Sequence, residues 1–376
     1  MTKLRAALLR WYRRHRRDLP WRRTRDPWAV WVSEAMLQQT RVETVVPYYE
    51  RFLRRFPDVG TLATADLEDV LGLWAGLGYY SRARNLHGAA REVMQRFRGR
   101  IPETAEALRT LPGVGRYTAG ALASIAFDRP EPVVDGNVAR VLARLHGIRE
   151  DLARPAVQAR LWEEAARLAR GPDPGDLNQA LMELGARVCT PRKPDCAACP
   201  VASGCRARRA GEVDSIPRPR SRPTPRRVRA VAALVARGGR VLAVRRAESG
   251  LLGGLWELPG SEIGARERPG RALRPALAER TGLAVDEVEA VGVVTHLFTH
   301  RRVETHVFRA RAAPGRVGLS DYVAHRWVSR EGLRALPQGR AARRAMELAL
   351  SGSGDAPALA RTRGSRMLAR RSAPGP

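Results

Sequence analysis

The sequence predicts a multidomain protein in which residues 1 to about 210 are all-α and residues 228 to about 345 are α+β. Three observations indicate this division. The length of 376 residues is enough for two or three separately packed domains. Apolar residues recur at helical spacing as far as about residue 210, whereas strand-like runs follow residue 228. Between them, residues 211–227 are rich in proline and arginine and are predicted to be a linker.

Individual segments support each half of this prediction. In the first half, "TLATADLEDVLGLW" and "RLWEEAARLAR" have helical spacing and end at proline or glycine. In the second half, "VRAVAALVARGGRVLAVRR" predicts two strands around a turn, and "RALRPALAERTGL" predicts a helix that ends at Gly282. The basic, glycine- and proline-rich segment 351–376 is expected to be disordered.

The charge balance favours a polyanionic partner. Lysine and arginine number 67 against 38 acidic residues, which gives a formal net charge of +29, and nucleic acid is the first candidate. Since Lys3 and Lys193 are the only lysines, a genome rich in arginine codons is the alternative explanation. No apolar run has the length of a signal peptide or a membrane span. We therefore expect a monomer without membrane contact in a bacterial cytoplasm, associated with the nucleoid.

Four cysteines form a compact group and predict one metal centre. Cys189, Cys196, Cys199 and Cys205 follow a Cys-x6-Cys-x2-Cys-x5-Cys spacing. A reducing cytosol disfavours disulfides, and four thiolates suit either zinc or an iron–sulfur cluster. A single compact run with one Cys-x2-Cys favours a 4Fe-4S cluster over zinc, in a structural role.

The stretch "LPGVGRYTAG" predicts a tight glycine hairpin that leads into a helix near Arg116. Gly113 and Gly115 permit backbone angles that turn amide groups outward, and the start of the helix adds positive charge. Together they predict a cradle for a phosphate group. A lone Gly-x-Gly is otherwise a plain turn.

Two carboxylates are candidates for chemistry. Asp135 lies in "VVDGNVARVLARL", where the simpler interpretation is a helix N-cap. Glu34 lies in "WVSEAMLQQTRV" among apolar residues, which predicts a raised pKa and a proton-donor role. The alternative for Glu34 is an exposed residue at the start of an amphipathic helix.

These features together resemble the helix-hairpin-helix family of base-excision DNA glycosylases over residues 1 to about 210. The motifs "LPWR", "SEAMLQQTRVETV", "GLGYYSRARNLH" and "LPGVGRYTAG" are similar to its MutY-type branch, which removes adenine. The resemblance implies a six-helix lobe over about 22–130. It also implies a second lobe, formed by the N-terminal segment and 131–210, that bears a 4Fe-4S cluster.

Tyr117 stands where the endonuclease III branch of this family has a lysine that attacks the sugar. Without an amine at this position, neither a Schiff base nor the strand cleavage that it enables is expected to be efficient. The resemblance therefore implies a monofunctional glycosylase, which removes the base and leaves an abasic site.

The resemblance also assigns roles in the reaction. Glu34 protonates adenine at N7, and Asp135 stabilises positive charge at C1′. Tyr117 is expected to hydrogen-bond Asp135 or the leaving base, and Asn137 to order the attacking water. The expected adenine pocket contains Trp21, Arg22 and Gln179. Some family members have an acidic residue at position 179, and an amide cannot act as a second acid there.

Extrusion of the adenine from the duplex requires residues that fill the stack. By resemblance, Leu37, Gln39 and Thr40 enter it near the opposite base, and Tyr79 wedges beside it. Core packing is the alternative for Leu37 and Tyr79.

Residues 228–345 resemble a Nudix fold, with "GLLGGLWELPG" ahead of the predicted helix. A Nudix hydrolase needs several carboxylates on that helix to hold magnesium, but Pro275, Ala276, Glu279 and Arg280 stand at the corresponding positions. The resemblance implies instead a domain that recognises 8-oxoguanine. In "HLFTHRRVETH", Thr299 would hydrogen-bond the lesion and His300 would support it.

The combined prediction is an enzyme that excises adenine from A:8-oxoG or A:G mispairs in double-stranded DNA. A mismatch glycosylase of the same family with another base preference is one alternative. A non-catalytic DNA-binding iron–sulfur protein is a second, and a nucleotide pyrophosphatase acting through the later domain is a third.

Overall fold

The computed structural model describes residues 2–218 and 224–351 of the chain. Part of the predicted linker, 219–223, and all of the predicted disordered tail except Ser351 lie outside the described residues. The described part of the first half contains no β-strand, and the second half combines a sheet with helices. The predicted fold class is therefore confirmed.

The helices of the first half form two groups around separate cores. The first group comprises α2 (Pro27–Leu37), α3 (Val42–Arg55), α4 (Val59–Ala63), α5 (Leu67–Trp74), α6 (Ser81–Phe97), α7 (Ala105–Leu108) and α8 (Arg116–Ile125). The second group comprises α1 (Thr2–His15), α9 (Gly136–His146), α10 (Pro155–Ala169), α11 (Pro174–Arg187) and α12 (Arg206–Arg209). The N-terminal helix thus packs with the helices that follow α8, and one 3-10 turn, Pro20–Arg22, connects it to the first group.

The second half is a seven-stranded sheet with helices packed on both faces. Its strands are β1 (Arg226–Arg237), β2 (Arg240–Arg246), β3 (Trp256–Glu257), β4 (Gly260–Ile263), β5 (Val285–Leu297), β6 (Arg301–Ala312) and β7 (Tyr322–Val328). The order is β3-β2-β1-β6-β5, with β4 paired to β1 and β7 paired to β2. One face packs on α13 (Pro269–Thr281), and the other on α14 (Arg330–Ala335) and α15 (Arg340–Leu350).

Two local predictions for this half are confirmed. The turn between β1 and β2 contains Gly238 and Gly239, both with positive φ, as a tight hairpin requires. Helix α13 ends where Gly282 adopts a left-handed conformation with φ of 66°. The parallel pairing of β1 with β6, from Arg226–Arg301 to Ala236–Arg311, was not anticipated, because hydropathy does not specify partners distant in sequence.

Within residues 2–218 and 224–351, none of the helices combines the length and apolar character that crossing a bilayer requires.

Candidate active site

A cavity of about 710 Å³ lies where α2, α8, α9 and α11 converge. It is lined by residues that the sequence places far apart. The predicted site residues on its wall are Trp21, Arg22, Glu34, Leu37, Gln39, Thr40, Gly113, Gly115, Tyr117, Asp135, Asn137 and Gln179. Tyr79, Thr299 and His300 do not line it, and the first two meet each other elsewhere.

Glu34 is held in the cavity wall by α2, a strongly apolar helix. Helix α2 begins with Asp26 as N-cap and Pro27 at its first position, and nearly all of its residues are buried. Glu34 itself is only 5% exposed. Its pKa is raised from 4.5 to about 7, mainly by burial and also by the nearby Asp135, whereas the Tyr117 hydrogen bond and Arg22 act in the opposite direction. The alternative of an exposed glutamate is excluded.

One oxygen of Glu34, Oε2, is buried and has no hydrogen-bond partner among the described residues. A buried polar atom without a partner costs about 1–3 kcal/mol and is rare in folded proteins. Since this atom belongs to a carboxyl group on the wall of a large cavity, it is suited to receive a polar atom of a bound ligand. A carboxyl group with a pKa of about 7 can also donate a proton near neutral pH.

Tyr117 enters the cavity from the first turn of α8. Its hydroxyl lies 3.3 Å from Met182 Sδ and hydrogen-bonds Glu34 closely enough to lower the pKa of that carboxyl. The hydroxyl has only one proton to donate. We assign it to Glu34 rather than to Met182, because a carboxylate is a stronger acceptor than a thioether. Burial and the nearby carboxylates raise the pKa of Tyr117 well above its usual value, so the phenol is neutral. Among the described residues no hydrogen bond joins it to Asp135, and the leaving base stays the other expected partner.

Asp135 caps a helix and also lies on the wall of the cavity. Its Oδ1 accepts from the backbone amide of Val138 at 2.7 Å and caps α9. Its Oδ2 accepts from Asn137 Nδ2 at 3.0 Å, on the wall of the cavity. Asn137 Oδ1 in turn accepts from Arg140 Nη2 at 2.9 Å. The amide of Asn137 therefore fixes the Asp135 carboxylate and is engaged at both ends.

Glu183 is a buried residue of the cavity wall that the sequence analysis missed. It is 1% exposed, and its carboxylate receives hydrogen bonds from Arg17 and from Arg22 Nη2 at 2.8 Å. These two guanidinium groups outweigh the effect of burial and lower its pKa from 4.5 to about 2. A glutamate on the apolar side of "DLNQALMELGAR" was the available signal, but its partners lie more than 160 positions away.

The expected adenine-pocket residues occupy one side of the cavity. Trp21 is buried and packs edge-to-face on Tyr49 with ring centroids 5.3 Å apart. Arg22 is fixed by Glu183 and lies over the Tyr12 ring at 5.5 Å. Gln179 is half-buried on the wall.

The glycine hairpin has one position that requires glycine. Gly113 has φ of +72°, and a Cβ there would lie 2.5 Å from Asn85 Cβ. Gly115 has an extended conformation and precedes α8, whose first turn receives no side-chain cap. A Cβ at Gly115 would meet no atom within 4 Å, so the surface over the start of α8 is open to a ligand.

The four cysteines line one small cavity together with Arg144. Arg144 is buried, and its Nη1 lies 3.3 Å from Cys189 Sγ. No three of the described His, Cys, Asp or Glu side chains come close enough together to share a single metal ion. The four thiols line this cavity together, and four sulfur ligands beside a buried cation fit an iron–sulfur cluster.

Outside the main cavity, the predicted lesion-recognition residues lie at the tip of the β5–β6 hairpin. The Thr299 hydroxyl lies 3.1 Å from the Tyr79 hydroxyl, which links this hairpin to the helical part. The backbone carbonyl of His300 accepts from the Arg226 amide at 3.1 Å. On α13, Glu279 is exposed and is the only carboxylate of the helix, while Arg280 pairs with Asp321 at 2.8 Å.

Comparison with known families matches three parts of the chain. Residues 32–167 match the HhH-GPD superfamily of base excision DNA repair proteins. Residues 189–205 match the iron-sulfur binding domain of endonuclease III, which confirms the predicted 4Fe-4S site on the four cysteines. Residues 230–348 match the NUDIX domain.

Two relatives that are similar over most of the chain are adenine DNA glycosylases. The adenine DNA glycosylase of Homo sapiens is 40% identical over 88% of this chain and 71% of its own length. That of Mus musculus is 41% identical over 82% of this chain and 70% of its own length. Among solved structures, a thermostable thymine-DNA glycosylase is 30% identical with a TM-score of 0.50, over 56% of this chain and 98% of its own.

Proposed function

The chain belongs to the adenine DNA glycosylase family, an enzyme family of base excision repair, and from this premise we propose that it excises adenine paired with 8-oxoguanine or guanine. The observation that supports the proposal best is the buried, unpartnered Oε2 of Glu34 in a cavity that also contains Asp135. An adenine extruded into this cavity would supply the missing polar contact.

We propose that Glu34 protonates adenine N7. The adenine anion is a poor leaving group, and protonation allows the base to leave as a neutral molecule. The pKa of about 7 keeps a large fraction of Glu34 protonated near neutral pH, so the acid is ready before the base arrives. Tyr117 hydrogen-bonds this carboxyl and orients it.

Asp135 faces the sugar in this scheme. Loss of the base leaves positive charge at C1′, which a fixed carboxylate stabilises. Val138 and Asn137 hold Asp135 in one orientation, so little rearrangement is needed during the reaction. Because both ends of the Asn137 amide are engaged, we assign Asn137 to positioning Asp135 in addition to any contact with the attacking water.

Because residue 117 is a tyrosine, the site has no amine nucleophile at that position. We therefore propose a monofunctional glycosylase, whose product is an intact strand with an abasic site. Trp21, Arg22 and Gln179 contact the base, and the Gly113–Gly115 hairpin contacts the DNA backbone. The cysteines hold the cluster in a structural role, shaping the loop 189–205.

Recognition of the opposite base is proposed for the second half of the chain. Thr299 and His300 contact 8-oxoguanine from the β5–β6 hairpin, and Leu37, Gln39, Thr40 and Tyr79 fill the stack. With Glu279 alone on α13, no magnesium site for pyrophosphate hydrolysis is proposed. The domain limits 1–210 and 228–345, the monomeric state and the nucleoid location stay predictions.

The test is release of adenine from a duplex with one A:8-oxoG pair, with strand breaks measured before and after alkali. We expect breaks only after alkali. Glu34→Gln should abolish release and retain duplex binding, whereas Glu43→Gln, at an exposed position of α3, should behave as wild type. Breaks without alkali would contradict the monofunctional mechanism. Binding without release by the wild type would favour the non-catalytic alternative, and release of thymine from T:G would favour another base preference.

A further inference from the structure

Arg82, near the start of α6, is buried between the two segments that the proposed function assigns to the DNA stack. We propose that Arg82 is a positioning residue for base extrusion, because its single guanidinium fixes the Leu37–Thr40 loop and the Tyr79 wedge relative to each other. The inference rests on the proposed function, and none of the roles assigned above includes this residue.

The first set of contacts is to the end of α2. Arg82 Nη1 donates to the carbonyls of Ala35 at 3.0 Å, Met36 at 2.6 Å and Gln38 at 2.6 Å. The last carbonyls of a helix have no partner within the helix, and a cation is favoured there. Arg82 thus takes the place of a C-cap and determines where the chain leaves α2.

The second set of contacts is to the wedge. Arg82 Nη2 donates to the Gly78 carbonyl at 2.9 Å, and Nε donates to the Tyr79 carbonyl at 3.3 Å. Nη2 also donates to the Thr40 hydroxyl at 3.1 Å, which joins the wedge to the loop after α2. Every nitrogen of the guanidinium is therefore used.

Both segments have a backbone conformation that needs support. Gln39 has φ of 59° and Tyr79 has φ of 49°, in the left-handed region that residues other than glycine seldom adopt. Such conformations persist only where the surroundings hold them, and they concentrate at functional sites. Arg82 binds the carbonyl of Tyr79 and the carbonyl that precedes Gln39, so it stabilises both.

The site requires a guanidinium rather than an ammonium group. Arg82 is 7% exposed, and its flat group lies 5.4 Å from the Trp74 ring centre and 5.5 Å from that of Tyr79. Burial lowers its pKa to about 10, which still leaves it charged at neutral pH. Lysine has three donors on one nitrogen and cannot span acceptors on both sides.

The experiment compares Arg82→Lys with Arg91→Lys, a matched change at an exposed position of the same helix. Extrusion is monitored through the fluorescence of 2-aminopurine placed opposite 8-oxoguanine. Excision of adenine is measured as a single-turnover rate across a range of pH. For Arg82→Lys we expect loss of the fluorescence rise and a fall in the excision rate of about 100-fold, as for a misplacement of about 1 Å. The midpoint of the pH profile should not move, because Glu34 is untouched.

Several outcomes would overturn the inference. If Arg82→Lys has the wild-type fluorescence rise and the wild-type excision rate, the guanidinium group is not needed. A shifted pH midpoint with the same loss would mean that the variant disturbs the pocket of Glu34 instead. If Arg82→Lys does not fold, Thr40→Val removes the hydroxyl acceptor of Arg82 and Thr40→Ser keeps it, and equal fluorescence rises in these two variants would contradict the proposal. Failure of the wild type to release adenine would refute the proposed function rather than this role.

Discussion

Glu34 illustrates how a residue proposed for catalysis can lower the stability of the folded protein. Its pKa in the folded protein is about 7, compared with 4.5 for an unperturbed carboxyl. Between these values the unfolded chain loses the proton while the folded protein keeps it. The free energy of unfolding therefore falls as pH rises from about 4.5 to about 7.

Glu34→Gln should remove this pH dependence while abolishing excision. From pH 5.5 to pH 8 we expect wild-type stability to fall by about 2 kcal/mol relative to the variant, since each unit of pKa is worth about 1.4 kcal/mol. Urea unfolding followed by tryptophan fluorescence at the two pH values measures the difference. A constant difference between the two proteins would show that Glu34 does not titrate in this range.

Tyr117→Phe tests the hydrogen bond that lowers the pKa of Glu34. Without the hydroxyl, the pKa of Glu34 should rise, and the protonated acid should persist to higher pH. The alkaline limb of the single-turnover rate profile is expected to shift upward. Tyr12→Phe, which removes a buried hydroxyl in the core of the second helix group, is the control and should leave the limb in place. A downward shift in Tyr117→Phe would contradict the assignment.

Glu183→Gln should destabilise the protein by about 3 kcal/mol, because removing one partner of a buried ion pair leaves the other charges uncompensated. The same change frees Arg22, so a higher KM for adenine-containing duplex is also expected. Glu92→Gln breaks only the exposed pair with Arg96 and should cost less than about 1 kcal/mol. Equal unfolding midpoints for the two variants would show that the buried ion pairs of Glu183 contribute no more stability than the exposed pair of Glu92.

At the scale of elements, local patterns predicted most helices and turns but not how the helices meet. The apolar run around Glu34 and the Gly282 helix end are encoded by adjacent residues, so periodicity and turn chemistry reveal them. Glu183 illustrates what was missed. Its position on α11 was predictable, but its ion pairs depend on the packing of α1 and the turn after it against α11, which no local pattern specifies.

The contact between α9 and α11 is such a packing feature, and Gly185 makes it possible. A Cβ at Gly185 would lie 2.7 Å from Asn137 Cβ and 2.9 Å from the Asn137 carbonyl oxygen. Gly185→Ala should therefore cost about 1–3 kcal/mol through overpacking. Because Asn137 holds Asp135, we expect excision to slow more than DNA binding weakens.

Gly72→Ala is the matched control for this change. Gly72 lies within α5, and a Cβ there meets no atom within 4 Å. Alanine should raise stability by up to about 1 kcal/mol through helix propensity and leave excision unchanged. Thermal unfolding and single-turnover excision of both variants test the pair. Equal stability changes would mean that the helix contact does not depend on Gly185.

At the scale of the whole molecule, the two halves are joined by a surface that the sequence did not reveal. Leu255 is 1% exposed and packs into the core of the first helix group, and Gly254 lies against Leu71 of α5. Arg326 pairs with Glu68 at 2.7 Å. The loop that leads to the catalytic helix in a Nudix hydrolase is used here for docking. Its sequence indicates only the Nudix fold, since a contact across domains leaves no periodic signal.

Arg84 connects that loop to α6, the helix that also contains Arg82. It donates to the carbonyls of Gly250 at 2.8 Å and Gly253 at 2.9 Å. A hydrogen bond from a charged donor contributes about 1.5 kcal/mol or more, which corresponds to about a tenfold change in an equilibrium constant. Arg84→Met should therefore weaken the docking of the second half on the helical part without changing the cavity.

The expected consequence is a loss of discrimination rather than of chemistry. If Thr299 and His300 recognise 8-oxoguanine only when docked beside Tyr79, the ratio of excision rates on A:8-oxoG and A:G should fall about tenfold in Arg84→Met. The rate on A:G should stay within about twofold of wild type, as for surface changes worth about 0.5 kcal/mol. Arg91→Met, at an exposed position of the same helix, should change neither rate. An equal loss on both duplexes would instead place the effect of Arg84 in the helical part itself, through its neighbour Arg82.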